Sequence, residues 1–301
     1  MTELQKRVLV AVIFIPILLT VLYLGGAYLA VTFALIVILG SAEYIAMLRK
    51  ASFSVSWYWL AIIFAVFVIM SFLTGWELII GWIIFFLAVL EALLKWNEQK
   101  SIPQIALELF GLFYIGVIPA MCLRLGLNFR HPNLLLWLVI SIWVTDSVAY
   151  FIGMKWGRHR GIFPISPKKS IEGFIAGIIA PFIIMIILYF IGMRWGRHRG
   201  IFSVSPKKST EGFIAGIIAP FIIMIILYNI GIIKSHQDLI LVAVAAGIFG
   251  QLGDLVESMI KRFCGVKDSS KLIPGHGGIL DRFDSILLAG SFLYCSLIIL
   301  Q

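Results

Sequence analysis

Between Gly253 and Asp284 the chain reads GDLVESMIKRFCGVKDSSKLIPGHGGILDRFD. Five acids (Asp254, Glu257, Asp268, Asp281, Asp284) here meet five bases (Lys261, Arg262, Lys267, Lys271, Arg282). Asp254 and Glu257 are three residues apart, as are Asp281 and Asp284, and on a helix that spacing sets both carboxylates of a pair on one face. Paired carboxylates are the ligands that a hard cation such as Mg²⁺ takes. The interleaved bases suit a polyphosphate whose charge such a cation would screen from the acids. Between the pairs lies Pro274-Gly275-His276-Gly277-Gly278, where glycines allow a tight turn and the approach of backbone N–H groups to phosphate oxygens. A lone histidine is more often structural, but His276, set among glycines in this run, reads as a phosphate donor or an orienting group.

Taken residue by residue, the stretch resembles the signature of the phosphatidate cytidylyltransferases (CDP-diacylglycerol synthases). The resemblance is carried by Ser258, Lys261-Arg262, Lys267-Asp268, Ser270, Pro274, His276-Gly277-Gly278, Asp281-Arg282 and Asp284. So many fixed positions in a short run make the match specific. A second stretch, Ser166-Pro167-Lys168-Lys169-Ser170-x-Glu172-Gly173, also resembles the family, as does the surrounding of Asp146 (Trp143, Ser147, Ala149, Tyr150).

The elements that must position these residues are membrane helices. The chain has 301 residues, 61% of them hydrophobic and only 13% charged, against roughly a quarter charged in soluble domains. Apolar runs of span length recur throughout, so the expected fold is all-α, a polytopic transmembrane bundle of about nine to ten membrane segments. The expected organisation is N-terminal membrane helices over 1–133 and a catalytic membrane region over 134–301, integrated into one domain. The net charge of +9 sits in short loops between apolar runs, which reads as positive-inside loops beside anionic lipid and not as nucleic-acid binding. Cys122, Cys264 and Cys295 have no metal-ligand or disulfide spacing and read as core or lipid-facing residues.

In order, spans are expected at about 8–24, 27–47, 57–73, 76–94, 104–125 and 134–154, then after the repeat described below at 239–256 and 286–300. Trp57, Trp59, Trp76 and Trp96 fall at span ends, as an aromatic belt would place them. Glu43, Glu108 and Asp146 lie within or near the ends of spans. Glu43 either reaches the interface, the favoured reading, or is a site residue, and Asp146 either packs helices through a hydrogen bond or lines the active-site cavity. The loop after the sixth span is basic (Lys155, Arg158, Arg160, Lys168, Lys169) and is expected on the cytoplasmic side with the N-terminus. Its lysines suit a triphosphate or a lipid phosphate, and the compact Ser166–Ser170 run favours that over a merely solvated loop.

Residues 151–189 are followed at once by a near copy, 190–228. The copies differ only at Lys155/Arg194, Pro164/Ser203, Ile165/Val204 and Ile171/Thr210. Each carries one apolar run with a proline in its middle, Pro181 or Pro220. Two full spans here, instead of one, would turn everything downstream to the other side of the membrane, away from cytoplasmic CTP. One run is therefore expected to be re-entrant or interfacial, its freed backbone buried in protein. Ser205, Lys207, Lys208 and Ser209 duplicate Ser166, Lys168, Lys169 and Ser170 as site candidates, and the first copy is favoured as the one that serves the site.

The resemblance implies transfer of a cytidylyl group from CTP to phosphatidic acid, giving CDP-diacylglycerol and pyrophosphate. The expected metal ligands are Asp254, Glu257, Asp281 and Asp284, with Mg²⁺ as the cation and a second cation as an open alternative. Substrate and phosphate contacts are expected from Lys261, Arg262, Lys267, Asp268, Lys271, Gly277, Gly278, Arg282, Ser166, Lys168, Lys169, Ser170 and Asp146, and a catalytic role from His276. The expected partners are CTP, phosphatidic acid and the bilayer, with a homodimer as a further option. The expected location in a bacterium is the cytoplasmic membrane, with the site facing the cytoplasm. Three rivals remain at this point: a polyprenol kinase or other lipid-phosphate enzyme, a transporter using Asp146, Glu108 and Glu43, and a homologue inactivated by the repeat. The transporter leaves the dense 254–284 stretch without a task.

Overall fold

The computed structural model describes residues 3–73, 77–94, 97–129, 133–143, 162–163, 205–206, 210–273 and 277–300. These residues are helical except for turns, loops and two two-residue strands, β1 (Ile162–Phe163) and β2 (Ser205–Pro206), which pair in parallel. The strands come one from each copy of the repeat.

Six helices precede the repeat: α1 (Glu3–Leu24), α2 (Gly26–Lys50), α3 (Tyr58–Phe72), α4 (Glu77–Leu94), α5 (Ser101–Asn128) and α6 (Leu134–Trp143). A further helix, α7 (Thr210–Asn229), lies in the second copy, and α8 (His236–Phe263) and α9 (Leu280–Ile299) follow it. Among the described residues α2, α5, α8 and α9 are long and apolar enough to cross a membrane, and α3, α6 and parts of α1, α4 and α7 are shorter apolar helices. The chain is thus a multi-helix membrane protein. The backbone hydrogen bonds that lipid would leave unmet are closed within each helix.

Two boundaries differ from those expected. The span expected at 239–256 runs on to Phe263, so Asp254, Glu257, Lys261 and Arg262 all ride on one helix. It stops there because Gly265 adopts φ +65 and the N–H groups of Gly265 and Val266 return to the carbonyls of Arg262 and Lys261, a helix-end turn that favours glycine. The last span begins at Leu280 and not near 286. Its acids fall in the first turns, where carboxylates are favourable to a helix N-terminus, and so the polar run that hid the start from a hydropathy reading belongs to the helix.

The contacts divide the chain into two units. The first comprises residues 1–128 and 260–283, the second 129–259 and 284–301. In the first, α2 packs on α1, α3 and α5, and α4 packs on α5. Its core includes Val37, Tyr44, Leu48, Trp59, Phe67 and Leu123. In the second, α7 packs along the first half of α8. Helices α5 and α8 each widen into a π-turn, at Leu112–Val117 and Ala245–Phe249; such turns are frequent near functional sites.

The second copy's apolar run is a continuous helix through Pro220, so in that copy the proline does not break the segment. The first copy's run, Asp146 and the Ser166–Ser170 stretch lie outside the described residues. Trp59 departs from the expected belt: it is fully buried, and its indole N–H donates to Glu91 at 2.8 Å. Ser56 and Tyr58 donate to the same carboxylate, which ties the start of α3 to α4. Trp57 is exposed, with the Arg49 guanidinium over its ring. Cys122 and Cys264 are buried and Cys295 half-buried, in keeping with the packing role expected of them.

Candidate active site

In the first unit the site is built on Glu43, a single acid in the apolar run of α2. Contrary to the reading favoured from sequence, its side chain is turned into protein and only 6% exposed. Four donors converge on it. Ser269 Oγ–H and the Leu280 N–H meet Oε2 at 2.9 and 3.0 Å, and Ser270 Oγ–H and the Ile279 N–H meet Oε1 at 2.6 and 2.8 Å. The two amides open α9, where no intrahelical acceptor exists for them. A carboxylate from another helix therefore caps α9 and favours its dipole. Buried charge persists only where it is paired or well hydrogen-bonded, and this carboxylate satisfies that condition.

Asp281 forms the second node. Its Oδ1 accepts from Lys261 Nζ at 2.6 Å, an ion pair with little exposure on either side. Its Oδ2 accepts from the Gly278 N–H at 2.7 Å and from the Ser269 N–H at 2.9 Å, with Ser269 Oγ also 2.9 Å away. The reach of Asp281 back to Gly278 is that of a capping box. Ser269 has one hydroxyl hydrogen and stands within 2.9 Å of both Glu43 and Asp281, so it links the two carboxylates.

The two glycines before α9 have a physical reason to be glycine. Gly277 has φ +84, and a Cβ there would lie 2.6 Å from Asp281 Oδ2. A Cβ on Gly278 would lie 2.5 and 2.6 Å from the two Glu43 oxygens. Both positions leave room for carboxylates. The expected donation of loop N–H groups to phosphate takes another form at Gly278, whose N–H is directed at Asp281. The Gly277 carbonyl accepts from the Ile273 N–H at 2.8 Å, closing the loop on itself. Around this frame Arg262, Lys267, Asp268, Lys271 and Arg282 are exposed.

In the second unit, α8 meets the start of α9 at Gly253. A Cβ there would lie 2.9 Å from the Asp284 carbonyl carbon and from Ser285 Cα, so the two backbones pass as closely as a glycine allows. Asp254, next in the chain, is half-buried, while Glu257 and Asp284 are 1% and 7% exposed. Asp284 Oδ1 accepts its neighbour's Ser285 N–H at 2.7 Å. Among the described residues no three of His, Cys, Asp and Glu converge into a metal-holding group.

Of the residues expected from sequence, the structure brings together Lys261, Asp281, Gly277 and Gly278 around Ser269, and sets Asp254 and Asp284 at a helix crossing. Pro274, Gly275, His276, Lys207, Lys208 and Ser209 lie outside the described residues, and Ser205 is described only as part of β2. For Glu43 the sequence left two readings, the interface or a site residue, and favoured the interface, which its burial in protein does not support. The only signal in the sequence was an acid inside an apolar run, which Glu108 shares; Glu108 is likewise buried and accepts from Gln104 at 2.9 Å.

These features define a polytopic helical membrane protein with charged residues gathered at the end of one long helix and the start of the next. The cytidylyltransferase family model matches residues 5–189 and again 186–300, and the chain belongs to that family. The two matches meet at the joint between the repeated copies. A phosphatidate cytidylyltransferase of Staphylococcus haemolyticus is 36% identical over 51% of this chain and 44% of its own length. One from Bacillus subtilis is 32% identical over 60% of this chain and 54% of its own. The chain thus spans about half the length of these two relatives. One from Synechocystis is 28% identical over 98% of this chain and 97% of its own length.

Proposed function

We propose that the chain is a phosphatidate cytidylyltransferase, joining the phosphate of phosphatidic acid to the α-phosphorus of CTP and releasing pyrophosphate. Family membership supports the reaction class, and the names of the relatives supply the substrates. The observation that carries the reading to a site is the close crossing at Gly253 and Asp284, which holds two acid-bearing helix segments side by side.

The donor set is all hard oxygen, which fits Mg²⁺. That ion keeps several waters and takes one or two carboxylates together with substrate phosphates, so a ready-made cage of three or more protein ligands is not required. One or two of Asp254, Glu257 and Asp284 would hold it. Bound there, it would supply charge neutralisation between two phosphate groups that otherwise repel. Asp281, whose oxygens face Lys261, Ser269 and Gly278, is assigned to holding that base in place.

The rest of the chemistry falls to the bases. Lys261, Arg262, Lys267, Lys271 and Arg282 are assigned to the triphosphate, where they offset the charge that develops on departing pyrophosphate. Since Gly278 spends its N–H on Asp281, that amide is assigned no part in this task. The lipid phosphate is already an anion at neutral pH and needs little help from a general base. It needs positioning in line with the leaving group. A lipid headgroup must enter from the bilayer, which gives a physical reason for a polytopic enzyme. CTP is cytoplasmic, so the loop between α8 and α9 is assigned to that side of the cytoplasmic membrane.

The test is pyrophosphate release by the purified chain in micelles holding phosphatidic acid, CTP and Mg²⁺. Release that depends on all three and stops with chelator is the expected result. A lipid kinase would release CDP instead, and a transporter would turn over no CTP.

A further inference from the structure

We infer that Glu43 is a positioning residue for nucleotidyl transfer, acting through Ser269 and Asp281 on Lys261 and through both ends of the loop that carries Lys271. The kinetic part of this inference rests on the reaction proposed above; the structural part does not.

The donors on Glu43 come from two places in the chain. Ser269 and Ser270 stand at the start of the loop, and Ile279 and Leu280 at its end. One carboxylate therefore ties both ends of the loop, and where α2 holds that carboxylate sets where those ends lie. Helix α2 is itself fixed at this level. The Tyr44 hydroxyl donates to the Leu107 carbonyl of α5 at 2.8 Å, and its ring fills the space over Gly111. One turn earlier, Gly40 faces Leu280 so closely that a Cβ would be 3.0 Å from Leu280 Cδ2. From Glu43 the order passes through the shared Ser269 hydroxyl to Asp281, and from Asp281 to the Lys261 ammonium.

The arrangement calls for a carboxylate in particular. Each oxygen faces one backbone N–H, of Ile279 or of Leu280. An amide in place of the acid offers one oxygen and one NH₂, so whichever way it turns, the NH₂ confronts a backbone donor. Serine hydroxyls can reorient to accept; the amides cannot. Glu43→Gln keeps size and shape and still misfits the loop.

The experiment uses the full chain in micelles, with Glu43→Gln as the main variant and Ser270→Ala as a milder one that removes a single donor. Glu43→Gln is expected to lower kcat/KM for CTP by about 100-fold, the scale of a displacement near 1 Å at a reacting site, while KM for phosphatidic acid stays within about twofold. Amide hydrogen exchange is expected to quicken over residues 267–281 and to stay unchanged in α3 and α5. Ser270→Ala should move the same quantities in the same direction by less. Glu43→Gln with wild-type exchange and wild-type kinetics would overturn the inference. So would an equal fall for both substrates without a change in loop exchange. If Glu43→Gln is not recovered folded, wild-type behaviour in Ser270→Ala has the same force. A wild-type chain that turns over no CTP would sink the functional reading and the kinetic part with it, while exchange would still decide whether Glu43 sets the loop.

Discussion

The Glu43 carboxylate lies 3.0 Å from the backbone nitrogen of Leu280, 237 residues further along the chain. A helix start is normally capped by a side chain from its own first turn or just before it. Here, of the amides at the helix start, Asp281 of the first turn takes only the Gly278 N–H, and the Ile279 and Leu280 amides are capped from α2. The start of α9 and the fold of α1–α5 are thereby one structural event within the first unit. A hydrogen bond to a charged acceptor contributes about 1.5–3 kcal/mol, so Glu43→Ala, which strands two helix-opening amides and two hydroxyls, should lower the melting temperature in micelles clearly more than truncation of an exposed residue such as Leu272.

Gly278→Ala tests the room left for that carboxylate. The added methyl would sit within 2.6 Å of both Glu43 oxygens, and neither oxygen can retreat without leaving its donors. Overpacking of this kind costs about 1–3 kcal/mol. The expected outcome is a chain that inserts and purifies but melts earlier and turns over CTP poorly. Wild-type turnover in this variant would show that the loop tolerates displacement.

Lys261 and Asp281 should behave as a buried pair. Removing one partner leaves the other charge uncompensated, at a cost of about 3–5 kcal/mol. Lys261→Met is thus expected to destabilise strongly, and Lys261→Met with Asp281→Asn to be less destabilised than the sum of the two single changes, a coupling read by a double-mutant cycle in thermal or denaturant unfolding. Additive effects would mean that the 2.6 Å contact is not maintained in solution.

A pair of glycines on α8 separates close approach from helix propensity. At Gly253 a Cβ would collide with the backbone of Asp284 and Ser285, whereas at Gly250 it would meet Ile142 Cγ1 at an ordinary 3.5 Å. Gly253→Ala should therefore push α8 off the start of α9, costing about 1–3 kcal/mol and most of the turnover. Gly250→Ala should be neutral or stabilising by up to about 1 kcal/mol. Equal behaviour of the two would contradict the crossing.

The candidate stretch stood out in the sequence because charge is so thin elsewhere. Acids and bases are packed between Gly253 and Asp284 in a chain 13% charged, and that density is what marks the stretch as a candidate site. The helices were legible for the complementary reason, that long apolar runs in lipid have few alternatives to being helices. The role of Glu43 was not legible, since a single acid in an apolar run reads the same whether it meets water or protein, and its partners lie more than 220 residues away. Trp59 was misread for a like reason. Its position at a span end suggested the interface, but the carboxylate that draws its indole inward, Glu91, belongs to α4. The start of α9 was hidden because Asp281 and Asp284 interrupt the hydropathy that defines a span, though both lie within its first turns.

The repeat yields the remaining prediction. The family match runs to residue 189 and resumes at 186, so the two matches join at the repeat, whose second copy, 190–228, adds 39 residues. The copies differ at four positions, and removal of 190–228 or of 151–189 therefore leaves nearly the same polypeptide. Either deletion retains one basic loop and one proline-containing apolar run ahead of α8. If the retained run forms the helix described for Thr210–Asn229, it can pack on α8 as α7 does. The membrane parity then places the α8–α9 loop on the same side as the first basic loop, where both can meet one CTP. The deleted chain is expected to release pyrophosphate at least as fast as the full chain, in micelles and in vesicles supplied with CTP on that side alone. Turnover by the full chain that disappears on deletion of either copy would mean that the additional unit has become part of the enzyme.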